Sequence, residues 1–128
     1  LNNLLTFITH RFVGESAVLN VYADKSKVTD ALVDRYFELS LRDGNRQALI
    51  DRMQMPFDTT RLEQIKSIAQ PTLVLWGAQD GLIPVESAYE FHRDLPNDTL
   101  VILEQSGHVP MEEDPEKSLE VVLPFIAY

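Results

Sequence analysis

The stretch TLVLWGAQDG, residues 72–81, decides the fold, because it reads as a buried strand that leads directly into a loop containing glycine. A second apolar run, TLVIL at 99–103, leads into a similar loop, EQSGHVP. Apolar runs without polar alternation are typical of strands that are buried on both faces of a parallel sheet. Residues 85–95 have apolar side chains at helical spacing, and a further helix is predicted to begin at Pro115. Residues 70–128 are therefore predicted to form a βαβα unit with parallel strands.

The first part of the chain, residues 1–69, is predicted to be helical. Apolar side chains recur at helical spacing in LNNLLTFITHRF (1–12) and in three later stretches. The second helix is expected to have Thr29 as its N-cap and to stop at Gly44. The third is expected to have Asn45 as its N-cap and to stop at Pro56. The fourth is expected to begin with a capping box of Thr60 and Glu63.

The composition argues against two classes of partner. The 128 residues include 20 Asp and Glu but 11 Lys and Arg, which gives a formal net charge of −9. Such a surface repels both the phosphate backbone of nucleic acids and an anionic membrane, so neither is expected as a partner. The chain has no cysteine, no apolar run long enough to cross a membrane and no basic signal-peptide start, and we expect a cytoplasmic protein.

Asp80 and His108 lie at the tips of the two loops that follow the predicted strands. Because the carboxyl ends of neighbouring parallel strands lie at one edge of a sheet, we expect the two side chains to meet there. A carboxylate in that position can accept the Nδ1 hydrogen of the imidazole and stabilise the imidazolium that forms during catalysis. Glycines 77, 81 and 107 are expected to let the loops turn sharply and approach a reacting group. The alternatives are a loop histidine bonded to backbone and a turn aspartate.

The segments PTLVLWGAQDGLIP (71–84) and SGHVPMEEDPEKS (106–118) resemble the C-terminal end of an α/β-hydrolase. The similarity is to the bacterial branch with a helical cap, which includes carboxylic-ester and carbon–carbon bond hydrolases. In that family the triad follows the chain order nucleophile, acid, histidine. The resemblance implies that Asp80 is the acid and His108 the base, that the helical first part is a cap-like segment, and that the βαβα unit ends the core. It also implies an ester or related carbonyl substrate and no metal or organic cofactor.

The nucleophile of that triad is missing. The family's serine lies in a Gly-x-Ser-x-Gly turn between a strand and a helix, whereas the glycines four apart in this chain, Gly77 and Gly81, have Gln79 between them. The nearest alternative is Ser16 in GESAV, which has no predicted strand before it. Leu1 in place of an initiating Met also indicates an excised or processed chain. We therefore expect the serine upstream of this sequence, and we expect the 128 residues alone to be inactive.

Two other interpretations follow from the residues. A chain with an acid and a base but no nucleophile also fits a non-catalytic binding or interaction module. The loop GAQDG could suggest phosphate binding, but it lacks the spacing of the glycine-rich fingerprints and the basic residue that a phosphate loop needs, which excludes this reading.

Other titratable residues are predicted to be structural. His10 and His92 lie within helical patterns and are expected to be partly buried. The run of Glu112, Glu113 and Asp114 could suggest a metal site. Because acidic residues favour the positive end of a helix, we interpret it instead as a solvated helix start with Asp114 as the cap.

The assembly of the chain can also be predicted. Two strands are too few to form an independently stable sheet, and an unpaired apolar strand edge is a template for pairing with another chain. We therefore expect the 128-residue chain to form a homo-oligomer, as a symmetric dimer.

Overall fold

The computed structural model describes residues 10–56, 59, 60 and 62–127. They fall into two compact units, one of residues 10–20 and 25–56, the other of residues 21–24 and the described residues from 59 onward. The first unit is helical, and the second contains a two-stranded parallel sheet with helices. This confirms the predicted α/β class, with a helical segment ahead of a βαβα unit.

Three α-helices account for most of the first unit. They are α1 (Arg11–Val21), α2 (Asp30–Leu41) and α3 (Asn45–Gln54), with a 3-10 turn at Lys25–Lys27 between the first two. The Arg11 guanidinium on α1 contacts the carboxylates of Asp30 and Asp34 on α2, at 2.9 and 2.6 Å.

The first helix differs from its prediction. Residues 1–9 of the predicted helix 1–12 lie outside the described residues, and α1 continues to Val21, well past the predicted end. Gly14 explains why the sequence did not reveal this, because glycine disfavours the interior of a helix. In the structure a Cβ at Gly14 would lie 3.6 Å from the Cβ of Phe37, so the glycine lies close to the side of α2.

The helix caps are partly as predicted. Thr29 caps α2, since its Oγ1 accepts a hydrogen bond from the N–H of Leu32 at 3.2 Å. The prediction for Asn45 is wrong by one residue. Gly44, at φ +82°, takes the N-cap position of α3, and α2 ends before that glycine is reached. The Asn45 side chain instead donates from Nδ2 to the carbonyl of Leu39 near the end of α2, at 2.7 Å, and this carbonyl also accepts the backbone N–H of Arg42 at 3.3 Å.

The predicted fourth helix is a 3-10 helix, Leu62–Ser67, in the second unit. The carboxylate of Glu63, predicted to belong to a capping box, contacts Nζ of Lys66 at 2.8 Å. A 3-10 conformation is frequent in connectors, and this six-residue segment leads into the first strand of the sheet.

The second unit contains the predicted strands and helices. They are β1 (Thr72–Gly77), α4 (Glu86–Asp94), β2 (Asp98–Leu103), the short α5 (Pro110–Glu113) and α6 (Pro115–Ile126). The strands pair in parallel, with Thr72 opposite Asp98 and Gly77 opposite Leu103. The two loops that carry Asp80 and His108 therefore leave the same edge of the sheet. Helix α5 was not predicted.

The core of this unit lies between α4 and the sheet. Val74, Ala88 and Leu95 are buried, with half-buried apolar residues packed against them: Ile65, Trp76, Leu100 and Ile102. The residues of both strands are largely half-buried. In β1 only Val74 and Gly77 are buried, and β2 has no buried residue. An open groove of about 910 Å³, whose lining includes Leu73 and Phe125, lies between the sheet and α6.

Candidate active site

The two loops at the carboxyl edge of the sheet are in direct backbone contact. The N–H of Ala78 donates to the carbonyl of Leu103, and the N–H of Gln79 donates to the carbonyl of Ser106, both at 3.0 Å. The Gln79 side chain adds a bond from Nε2 to the carbonyl of Glu104, also at 3.0 Å. The loop that follows β1 is therefore bonded both to the end of β2 and to the loop that follows it.

Gly77 makes this contact possible. A Cβ at Gly77 would lie 2.1 Å from the carbonyl oxygen of Gly107 and 2.3 Å from that of Ser106. Among the described glycines only Gly44 has a positive φ, so Gly77 and Gly107 are favoured by the close approach of two backbones and not by a left-handed conformation.

Asp80 is held at both carboxylate oxygens. Its side chain is 3% exposed, and Oδ1 accepts hydrogen bonds from the N–H groups of Leu82 and Ile83, at 2.8 and 3.0 Å. Oδ2 lies 2.8 Å from Nδ1 of His108. Burial alone would raise the pKa of Asp80, but the hydrogen bonds from Ile83, His108 and Leu82 together outweigh it and lower the pKa below the ordinary carboxyl value. The geometry therefore favours an ionised carboxylate facing the imidazole.

His108 is brought to Asp80 as the sequence predicts. Its side chain is 33% exposed, and its backbone N–H donates to the carbonyl of Val21 at 2.7 Å. With Nδ1 bonded to a carboxylate, the imidazole is held in the tautomer that leaves Nε2 able to accept a proton. A carboxylate–imidazole pair of this kind can perform general base catalysis once a nucleophile is near Nε2.

Glu113 is the residue near the site that the sequence did not reveal. The interpretation of residues 112–114 as a solvated helix start is wrong for Glu113, which is 3% exposed. Its carboxylate accepts hydrogen bonds from the backbone N–H groups of Gly107, Ala23 and Asp24 at 2.6, 3.2 and 2.7 Å. The sequence held no signal for this contact, since two of the donors lie about 90 residues away.

The rest of the acidic run is less buried. Glu112 accepts a hydrogen bond from the Tyr22 hydroxyl at 3.1 Å. Asp114 occupies the N-cap position of α6, as predicted, although its side chain makes no capping bond and contacts Nζ of Lys117 at 2.7 Å. Within the residues that the structure describes, no group of three His, Cys, Asp or Glu side chains could hold a metal ion.

The remaining candidates are not part of the two loops. Ser16 lies in the middle of α1 and not at a strand-to-helix turn. His10 is exposed, with its ring 5.8 Å from that of Phe12, so its predicted partial burial is wrong. The His92 side chain is 56% exposed, so its predicted partial burial is also wrong, and its Nδ1 lies 3.0 Å from the carboxylate of Asp98 at the start of β2. His92 and Asp98 therefore form a second histidine–carboxylate pair outside the loops.

In the part of the chain that the structure describes, no helix combines the length and the apolar character needed to cross a bilayer.

Comparison with known proteins gives a consistent result. The model of the alpha/beta hydrolase fold family matches residues 6–115. The uncharacterised hydrolase YugF of Bacillus subtilis (strain 168) is 33% identical over 109 residues, which cover 85% of this chain and 40% of that protein. A 2-hydroxy-6-oxo-6-(2'-aminophenyl)hexa-2,4-dienoic acid hydrolase of Metapseudomonas resinovorans is 32% identical over 98% of this chain and 46% of its own length.

A solved structure extends the comparison to three dimensions. The chain matches the crystal structure of a serine hydrolase involved in carbazole degradation, the CarC enzyme, with a TM-score of 0.81 and 27% identity, over 93% of this chain and 48% of that one. The chain thus spans less than half the length of each of these three proteins. Because the family model matches most of its residues, the chain belongs to the α/β-hydrolase fold family.

Proposed function

We propose that this chain is part of a serine-type α/β-hydrolase and supplies its acid, Asp80, and its base, His108. The substrate would be a small molecule with a carboxylic ester or a related carbonyl group, cleaved at a C–O or C–C bond. The observation that carries the proposal is the 2.8 Å contact between Oδ2 of Asp80 and Nδ1 of His108. The other carboxylate oxygen, Oδ1, accepts hydrogen bonds from two backbone N–H groups, and these bonds fix the orientation of the Asp80 carboxylate.

In the proposed reaction, Nε2 of His108 takes the proton of a serine hydroxyl as the serine oxygen bonds to the carbonyl carbon. The imidazolium then gives this proton to the leaving group, and an acyl-serine ester is formed. Water attacks that ester with His108 again as the base, which releases the acid and restores the serine. Asp80 stays ionised throughout and stabilises the imidazolium, in keeping with the hydrogen bonds that lower its pKa.

The serine is proposed to come from a part of the complete protein outside these 128 residues. The position of Ser16 inside α1 argues against it as the nucleophile, because the family's serine lies at a turn between a strand and a helix. The names of two similar proteins, a dienoic acid hydrolase and a serine hydrolase, support the reaction class. Both are more than twice as long as the part that this chain matches.

The test is steady-state kinetics of the complete hydrolase with an activated ester, in the variants His108→Ala and His92→Ala. His92 is a matched control, since it also pairs with an aspartate through Nδ1 but lies outside the two loops. We expect H108A to lower kcat by roughly 10⁴-fold or more, the loss typical when a triad member is removed, and H92A to leave it within about 2-fold.

Equal activity in wild type and H108A would contradict the proposal. No turnover of activated esters by the complete wild-type protein would instead favour the rival interpretation, a non-catalytic binding or interaction module that has kept the α/β-hydrolase fold.

A further inference from the structure

We propose that Glu113 is a positioning residue that holds the His108 loop in its working geometry. This inference rests on the proposed function, since it assigns Glu113 a role through His108. The Glu113 carboxylate accepts hydrogen bonds from backbone N–H groups, one of them that of Gly107, so its effect is on the backbone that carries the imidazole.

The carboxylate bridges two segments that are distant in sequence. Oε2 accepts from the N–H of Gly107, the residue before His108, at 2.6 Å, and from the N–H of Ala23 at 3.2 Å. Oε1 accepts from the N–H of Asp24 at 2.7 Å. Helix α5 explains how Glu113 reaches Gly107. The helix makes one turn from Pro110 to Glu113, which returns the Glu113 side chain to the loop that precedes the helix.

The same two segments meet at a second point. The N–H of His108 donates to the carbonyl of Val21 at 2.7 Å. The approach is so close that a Cβ at Gly107 would lie 2.5 Å from this carbonyl oxygen and 2.7 Å from the Ala23 nitrogen. The backbone of residues 107 and 108 is therefore fixed against residues 21–24, with Glu113 satisfying the N–H groups that this packing buries.

The imidazole depends on this backbone for its position. The His108 side chain is one-third exposed, and its bond to Asp80 requires that its Cα stay in place. Catalytic groups tolerate little displacement, since a shift of about 1 Å can cost roughly 100-fold in rate. Loss of the Glu113 bonds would thus change the rate through the histidine while the substrate contacts persist.

Glu113→Gln is the informative variant. It keeps the size of the side chain but replaces one carboxylate oxygen by an NH₂ group. This group cannot accept a hydrogen bond, so a donor would face the donor of a backbone N–H. Glu116→Gln is the matched control, because it removes the same charge from an exposed position on α6. Glu113→Asp is the second variant, with the charge kept and the reach shortened by one methylene.

The experiment measures kcat and KM of the complete hydrolase with an activated ester, in both the wild-type and the Asp80→Asn background. We expect E113Q to lower kcat by about 10- to 100-fold with KM changed less than about 3-fold, and E113D to fall between E113Q and wild type. E116Q should match wild type. In the D80N background the imidazole is already misoriented, so E113Q should lower kcat there by less than about 3-fold.

Three results would overturn the proposal. Wild-type kcat in E113Q and E113D, with His108→Ala inactive, would remove the role of Glu113 and leave the proposed function standing. An equal loss from E113Q in both backgrounds would assign Glu113 a general structural role. Wild-type activity in H108A would refute the proposed function itself, and the positioning role with it. If E113Q does not fold, E113D carries the same comparison.

Discussion

Replacing Gly77 by alanine should disrupt the site without altering the side chain of Asp80 or His108. A Cβ at this position would lie 2.1 Å from the carbonyl oxygen of Gly107 and 2.6 Å from the carbonyl carbon of Ser106. All these atoms are backbone, so no side chain can rotate away to relieve the overlap. The His108 loop must move instead.

The size of the effect follows from the distances. Ordinary contact begins near 3.4 Å, so the Gly107 carbonyl oxygen must retreat by roughly 1.3 Å. A displacement of this size next to His108, the proposed base, should lower kcat by about 100-fold. Overpacking of a close contact also costs about 1–3 kcal/mol in the free energy of unfolding, and we expect Gly77→Ala at the upper end of this range.

The assay is kcat with an activated ester and the urea midpoint of the complete hydrolase, with Gly14→Ala as the control. At Gly14 the added Cβ meets Phe37 at 3.6 Å, an ordinary contact inside α1. Because alanine favours a helix over glycine by about 0.5–1 kcal/mol, this variant should be more stable than wild type with unchanged kcat. A G77A variant with wild-type kcat and midpoint would refute the reasoning from close backbone approach.

Three further predictions concern the pair and the chain as a whole. Hydrogen bonds hold the pKa of Asp80 below its usual 3.8, so the stability that the ionised group contributes is present above the unfolded value and is lost as pH falls through the folded pKa. The difference in unfolding free energy between wild type and Asp80→Asn should therefore shrink from about pH 5 to about pH 2, and a constant difference would count against an ionised, hydrogen-bonded Asp80. The 128-residue chain alone should show no esterase activity, because it has a base without a nucleophile or oxyanion donors; burst kinetics with a p-nitrophenyl ester, abolished by Ser16→Ala, would contradict this. The same chain should be dimeric by light scattering at micromolar concentration, because its strands are only half-buried and an apolar groove lies beside them. A monomer would contradict this, since it would show that the chain covers these surfaces itself.

The βαβα unit was predictable because its signals are local. Two apolar runs, each followed by a glycine-containing loop, gave the strands and their order along the chain, and parallel pairing then placed Asp80 and His108 at one edge. The structure agrees in the parallel pairing of the strands and in the contact between the two side chains. The Thr29 cap was predictable for the same reason, since its partner is three residues away.

The features that sequence reasoning missed depend on contacts between distant segments. Helix α1 continues through Gly14 beside Phe37 of α2, and local propensity contains no information about this neighbour. Asn45 bonds the end of the preceding helix where a cap for its own helix was predicted. Glu113 appeared to be a solvated acid because its donors at residues 23 and 24 lie far back in the chain.

The most direct test of the central claim is a double-mutant cycle between Asp80 and His108, measured as kcat of the complete hydrolase with an activated ester. If the aspartate acts through the imidazole, Asp80→Asn alone should cost about 10⁴-fold, yet the same substitution in the His108→Ala background should cost less than about 3-fold. Losses that multiply in the double variant would contradict the account, because they would show that the two residues do not act as one unit.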